Sequence, residues 1–320
     1  MSAESALSFP PDVFSKLEPE LYLQRHLAQG LRPSNRGLLE FRDTKVQQGS
    51  VKGEYIVGSS VLRSGGSIVV CGISAGITSS TGGAGIYPNV EVVRGGGSRN
   101  SPPNEEEMIL SQRIYELLRT EHIMDHTKHL FEIPGVEDQW VVLNASVQVL
   151  SRSGPVLDAA WNAVVAAIRS IRMPPLEYDP DRQTAFFKTN DDNHNNDDDD
   201  SMQVDPTPQP HESLDVFSSS YGIAELRNDI GLGDHQQHED QRQSSVALVA
   251  DVEGETEEAC MPSTINIVRG TDGLLHGATI SLCDSTASGG NNGIKLTRRH
   301  IQSALQGAKA HSEQLAKNLS

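Results

Sequence analysis

The stretch Leu157-Asp158-Ala159-Ala160-Trp161-Asn162-Ala163-Val164-Val165-Ala166-Ala167-Ile168 carries a single charge and holds neither glycine nor proline. Alanine is the strongest intrinsic helix former, so the composition predicts a helix over Pro155–Ile171. Its apolar residues run around the whole circumference rather than along one stripe, which predicts burial on every side. Pro174-Pro175 ends it, because proline cannot continue the hydrogen-bond ladder. A helix buried in this way needs cover from elsewhere in the chain.

The flanking sequence supplies strands. Trp140–Leu150 is long and β-branched, with Val141, Val142, Val147 and Val149. Upstream, Leu38–Gln47, Gly53–Leu62 and Ser67–Ile77 read as strands. Ser64-Gly65-Gly66 forms the hairpin turn between the last two, since glycine takes the positive φ of primed turns. Val90–Val93 is a further short strand, followed by the glycine-rich loop Gly95–Arg99. Glu105–Leu118 reads as an amphipathic helix with Met108, Ile109, Ile114, Leu117 and Leu118 on its apolar side, and its acidic start suits the positive helix N-terminus. Before all of these, Val13, Leu17, Leu21, Leu23 and Leu27 recur at helical spacing, and Gly30 is a natural stop.

In the second half, Gln183–Lys188, Phe217–Leu226, Val246–Asp251, Thr264–Arg269 and Leu275–Leu282 read as strands. Gly270-Thr271-Asp272-Gly273 joins two of them as a hairpin, and Thr297–Leu319 is a closing helix. The order is strands, helix, long strand, buried helix, strands, final helix. That is an α+β pattern, with mixed sheets packed against central helices, rather than a strict βαβ alternation.

The net charge of −17 argues against a general polyanion binder, but the charge is concentrated. Between Asn190 and Ser245 there are 14 acidic residues and 2 basic ones, which leaves 29 acidic and 24 basic residues elsewhere. Asn190–His211 has almost no large apolar residues and predicts disorder. Ser201, preceded by four aspartates, has the acidic context of a phosphorylation site. His194, His211, His235 and His238 lie in the acidic segments and read as solvated linker residues. Cys71, Cys260 and Cys283 lie far apart without CxxC spacing, which predicts reduced, buried thiols and no metal site. No signal pattern and no long apolar run is visible, so the expectation is a soluble protein with no membrane partner. The glycine-rich stretches are not phosphate-binding loops, because neither leads into Gly-Lys-Ser/Thr nor makes G-x-G-x-x-G at a helix start.

Several short motifs, taken in order, resemble the ribonuclease PH family. Leu31-Arg32-Pro33-Ser34-Asn35-Arg36 is similar to that family's L-R-P-D-G-R turn, with Ser and Asn in place of Asp and Gly. The hairpin ending in Ile68-Val69-Val70-Cys71-Gly72-Ile73 follows, then Pro88-Asn89-Val90-Glu91 and the Gly97–Glu106 segment. The match resumes at Gly154-x-x-Leu157-Asp158-Ala159 and at Val249-Ala250-Asp251 with Glu257-Glu258. Within the family the chain looks closest to ring subunits of the eukaryotic RNA exosome.

The resemblance implies a division into a flexible N-terminus (1–14), a first core part (15–189), an acidic disordered insertion (190–215) and a second core part (216–320) with a further insertion near 228–245. It also implies a site. Phosphorolysis uses inorganic phosphate as nucleophile and needs arginines to hold the developing negative charge. At the position where active relatives hold phosphate, this chain has Leu157, and Glu105 and Glu106 align with an arginine pair. Such carboxylates would repel phosphate and RNA. Asp251 is kept, with Glu257 six residues on in place of a second aspartate.

The reading is therefore a non-catalytic exosome ring subunit without cofactor or metal. It would support RNA processing and degradation beside other ribonuclease-PH-like subunits, RNA-binding cap subunits, a hydrolytic exoribonuclease and single-stranded RNA, in the nucleus (nucleolus) and cytoplasm. Arg99 is either an RNA-backbone contact lining the channel or a solvated loop residue. Arg32 and Arg36 either touch RNA or pair with carboxylates inside the domain. Two rival readings stand beside this one: an active phosphate-dependent exoribonuclease, and an acidic module whose insertions recruit basic proteins.

Overall fold

The computed structural model describes residues 10–53, 55–79, 83–93, 102–133, 136, 138–179, 184–187, 214–226, 245–283 and 296–319. Arg99, Ser201, the four linker histidines and most of both acidic insertions lie outside them.

Two helices open the chain, α1 (Pro11–Leu17) and α2 (Pro19–Leu27), so helical structure begins inside the stretch expected to be a flexible N-terminus. Strands β1 (Thr44–Gln48), β2 (Ile56–Ser64), β3 (Ser67–Thr78) and β4 (Gly85–Val92) follow. Then come α3 (Glu105–Leu118), α4 (Glu121–Thr127) with a 3-10 turn at Lys128–Leu130, β5 (Trp140–Ser151) and α5 (Leu157–Arg169). The remainder is the pair β6 (Leu176–Asp179) and β7 (Thr184–Phe187), then β8 (Val216–Leu226), β9 (Ser245–Ala250), α6 (Gly254–Cys260), β10 (Thr264–Gly270), β11 (Leu275–Ser281) and α7 (Arg298–Leu319). None of these helices is long and apolar enough to cross a membrane.

The first sheet has the order β1-β2-β3-β5-β4 and the second β11-β10-β8-β9. Strand β4 runs parallel to β5 at the sheet edge, which is where Pro88 can be accommodated within a strand. The β2–β3 hairpin closes at Ser64–Ser67, with Gly65 at φ 55° as the turn requires.

Helix α5 lies between the sheets, packed on β2 and β3 on one side and on β8 on the other. Ala160, Trp161, Ala163, Val164, Val165, Ala166 and Ala167 are fully buried, as an all-round apolar helix demands. Polar contacts pin its orientation. Ser60 of β2 donates to the Ala163 carbonyl at 2.6 Å, and Trp161 Nε1 donates to Val216 O at 3.0 Å. Asn162 exchanges two hydrogen bonds with the Ser218 backbone. Each such bond contributes on the order of 1 kcal/mol net, and each would cost more if its partner were removed. The main apolar core runs without a break from Val69 and Leu143 through α5 to Phe217, Val268 and Leu315, so both halves share it.

Three expectations change. Leu38–Asp43 is not strand: its backbone is taken up elsewhere, with Ala250 N donating to Leu38 O at 2.7 Å and Arg42 N to the Asp251 carboxylate. Helix α3 buries Leu110, Ile114 and Leu118, whereas Met108 and Ile109 are 54% and 46% exposed. The buried stripe is set by the four-residue spacing of those three residues, and Met108 and Ile109 fall beside it. Among the three free cysteines only Cys71 is buried, and that burial pushes its thiol up to about 12, while Cys283 is exposed.

Candidate functional site

The predicted site residues converge where the Leu31–Arg42 segment, the N-terminus of α5, the end of β9 and α6 meet. The turn after α2 places Arg32 inward because Asn35 adopts φ 58°, the left-handed region that asparagine tolerates better than most residues. This is the position at which the family turn has glycine, so the substitution preserves the backbone path.

Arg32 is fully buried. Its Nε donates to Glu257 Oε1 at 3.0 Å, its Nη2 pairs with Glu257 Oε2, and Nη1 and Nη2 also donate to the carbonyls of Ala250 and Asp251 at 2.6 and 2.9 Å. The short helix α6 carries Glu257 into this pocket, where its Oε2 also accepts from Glu253 N at 2.8 Å. Arg36 donates to Glu253 Oε2 at 2.9 Å and to Asp251 Oδ2 at 3.3 Å. Arg42 grips Asp251 with a fork, Nε to Oδ2 at 2.7 Å and Nη2 to Oδ1 at 2.6 Å, while its Nη1 donates to Ser153 O at 2.8 Å. Arg152 reaches both Glu106 oxygens at 2.8 and 3.0 Å and pairs with Glu258.

The electrostatics follow from these contacts. Burial disfavours the charged Asp251, but hydrogen bonds and attraction from Arg42, with Arg36 behind, outweigh it and hold the carboxyl below its usual range. Burial likewise opposes the Arg42 charge, and the same Asp251 bond overrides it, so that guanidinium is held above its usual range. Asp158, one residue into α5, accepts from Ser218 Oγ at 2.5 Å, Ser220 N at 2.6 Å, Ser220 Oγ at 2.8 Å and Asn266 Nδ2 at 3.0 Å. Burial still dominates there and holds its carboxyl above the ordinary value.

Four guanidiniums (Arg32, Arg36, Arg42, Arg152) thus meet five carboxylates (Glu106, Asp251, Glu253, Glu257, Glu258). A phosphate entering this junction would have to displace a carboxylate from each arginine it used. Leu157 is buried at the first turn of α5 and offers no donor. Glu106 is tied to Arg152, and Glu105 stays exposed at the α3 terminus. Gly154, at φ +105°, sits where a Cβ would lie 2.2 Å from Val252 O, so the Ser153–Val156 turn can press against the Val252–Glu253 segment only with glycine there.

The structure therefore brings together Arg32, Arg36, Asp251, Glu257, Leu157 and Glu106, and leaves Glu105 at the edge. Sequence reasoning missed Arg42, Arg152, Glu253 and the role of Asp158. The last lies inside a motif already noticed; the arginines carried no local signal, because their partners are remote in the chain.

Set against known proteins, residues 40–174 match the RNase PH model, domain 1 of the 3' exoribonuclease family. That segment is similar to the family, and the chain as a whole has an RNase PH-like α+β fold. The exosome complex component rrp43 of Schizosaccharomyces pombe is 29% identical over 188 residues, which covers 57% of this chain and 67% of that protein. Among solved structures, the Archaeoglobus fulgidus exosome with RNA bound to the active site superposes with a TM-score of 0.60 at 16% identity, covering 97% of this chain and 100% of that one. An archaeal exosome core gives 0.56 at 14% identity, covering 96% and 100%. The likeness of fold extends beyond the segment matched by the family model.

Proposed function

We propose that this chain is a non-catalytic ring subunit of the RNA exosome, supporting 3'-to-5' RNA processing and degradation, ribosomal RNA maturation included, by completing the ring and guiding RNA through it. The observation that carries the reading is the neutralised junction. Each of its four arginines is bound to carboxylate, and the α5 terminus presents Leu157 where a phosphate-holding group would be needed. Similarity to rrp43 supports the assembly part of the reading.

The edge of the second sheet supports it as well. Strand β11 is an outer strand, and Leu275 and Ile280 on it, with the adjoining Leu274 and Leu282, are each 45% exposed or more. Unpaired edges that carry exposed apolar side chains are suited to burial against a neighbour. The partners are other ribonuclease-PH-like subunits, RNA-binding cap subunits, a hydrolytic exoribonuclease and single-stranded RNA. The sites of action are the nucleus, nucleolus and cytoplasm.

The test is purification of the tagged chain from its native cell. Recovery within an assembly of other ribonuclease-PH-like chains is the expected result. Recovery alone, or only with basic proteins that are lost when residues 190–213 are deleted, overturns it.

A further inference from the structure

Away from the arginine junction, three side chains from two distant parts of the chain converge without hydrogen-bonding one another. His122 stands in the first turn of α4, Asp272 in the β10–β11 turn and His276 on β11. One donor atom from each lies within 4.8 Å of the others. His122 Nε2 is 3.6 Å from Asp272 Oδ2, too long for a hydrogen bond, and the His122 and His276 ring centroids are 4.7 Å apart. His122 Nδ1 and His276 Nε2 are each shut off from solvent and have no hydrogen-bond partner. A buried imidazole nitrogen without a partner is uncommon, because it has given up water for nothing. Together the two imidazoles and the carboxylate offer a donor set without an acceptor, with His122 facing Asp272 through Nε2.

The backbone is arranged to produce this convergence. The β10–β11 ladder shifts register between Val268 and Arg269, and such bulges re-aim the side chains that follow. Gly270 has no Cβ, and one added there would lie 2.3 Å from Asp272 Oδ1 and 3.0 Å from His276 Nε2. The missing side chain is what lets the carboxylate and the imidazole share the space. Asp272 is oriented by Leu274 N, which donates to its Oδ1 at 2.9 Å and leaves Oδ2 turned towards His122.

We propose that His122, His276 and Asp272 bind one divalent transition-metal ion, zinc in the first instance, with water completing the shell. Two imidazoles and a carboxylate suit zinc in preference to magnesium or calcium, which favour all-oxygen sites. Zinc–ligand distances of about 2.1 Å place tetrahedral donors roughly 3.4 Å apart, so separations of up to 4.8 Å need to close by at most about 1.4 Å. The ion acts as a clasp. It fastens α4, from the layer around the first sheet, to the hairpin at the edge of the second. His126, whose ring centroid is 4.5 Å from that of His122, flanks the site on the next turn of α4.

The full-length chain, stripped with a chelator and desalted, is titrated with zinc by calorimetry and followed by thermal melting. One ion per chain is expected, with a melting temperature that rises on binding. Asp272→Asn, which keeps the shape, and His276→Gln should each weaken zinc at least tenfold while the metal-free melting temperature stays near that of the unaltered chain. Cobalt bound to the unaltered chain is a second readout, independent of any substitution: visible ligand-field bands without thiolate charge transfer are expected. No saturable binding, affinity unchanged in both variants, or a thiolate band that places the ion on Cys260 or Cys283, each overturns the proposal.

Discussion

Arg32 and Glu257 lie 225 positions apart in the chain and form a two-point ion pair with almost no exposure, at 0% and 2% of their side chains. Removing two charges from water is costly, and only mutual attraction together with further hydrogen bonds offsets it. The carbonyls of Ala250 and Asp251 accept two further Arg32 N–H groups, and Glu253 N donates to Glu257. The L-R-P-x-x-R turn is thereby bolted to the second half of the fold.

Arg32→Met leaves Glu257 buried and unpaired, so we expect a loss of about 3–5 kcal/mol in urea unfolding. Adding Glu257→Leu should recover most of that loss, because the double replacement removes the isolated charge. A single variant as stable as the unaltered chain would show that the pair does not hold the turn.

Arg152→Ala, by contrast, should cost about 1 kcal/mol or less. Arg152 is one-third exposed, so solvent screens its pairs with Glu106 and Glu258. The same unfolding experiment checks this: pairs that matter more than expected would make the midpoint of the unaltered chain rise relative to that of the variant as salt is lowered, because screening weakens.

His311 of α7 is stacked on Phe41 at 4.0 Å between centroids and bonded to Ser219 Oγ at 2.9 Å. Burial lowers its pKa to about 4, against a smaller attraction from Asp251. The unfolded chain takes up a proton near pH 6.5 that the folded chain refuses. The stabilisation is therefore complete above that pH and is lost on acidification down to about 4. Between pH 7 and 5 the loss should be roughly 2 kcal/mol. His311→Gln should flatten this part of the pH profile. Asp158, whose raised value gives a contribution lost as pH rises, is common to both chains and cancels in the comparison.

Deleting residues 190–213 should leave the melting temperature within a few degrees of that of the full chain and leave assembly intact. Strand β7 ends at Phe187 and β8 begins at Val216, so no described strand is shortened. Loss of assembly would assign the acidic segment a role that the reading of it as a solvated linker denies.

Much of the fold was legible where apolar period and turn chemistry agreed. Helix α5, strand β5, the β2–β3 hairpin and the β10–β11 hairpin all stand where composition places them. The sheet order was not legible, because the parallel pairing of β4 with β5 leaves no local mark. Helix α6 escaped notice because Gly254-Glu255-Thr256-Glu257-Glu258-Ala259-Cys260 has no apolar stripe and is anchored by a buried carboxylate instead. The site was half legible. Motifs pointed to Arg32, Asp251 and Glu257, while Arg42 and Arg152 depend on partners 209 and 106 positions away. Arg99, read as either an RNA contact or a loop residue, falls outside the described residues.

The central claim, that the arginine junction holds the fold together and does not perform phosphorolysis, is tested most directly by incubating the purified full-length chain with single-stranded RNA and inorganic phosphate and measuring nucleoside diphosphate release. The account predicts no release above the no-enzyme control at any phosphate concentration. Release that rises with phosphate and disappears with Arg42→Ala or Arg36→Ala would contradict it.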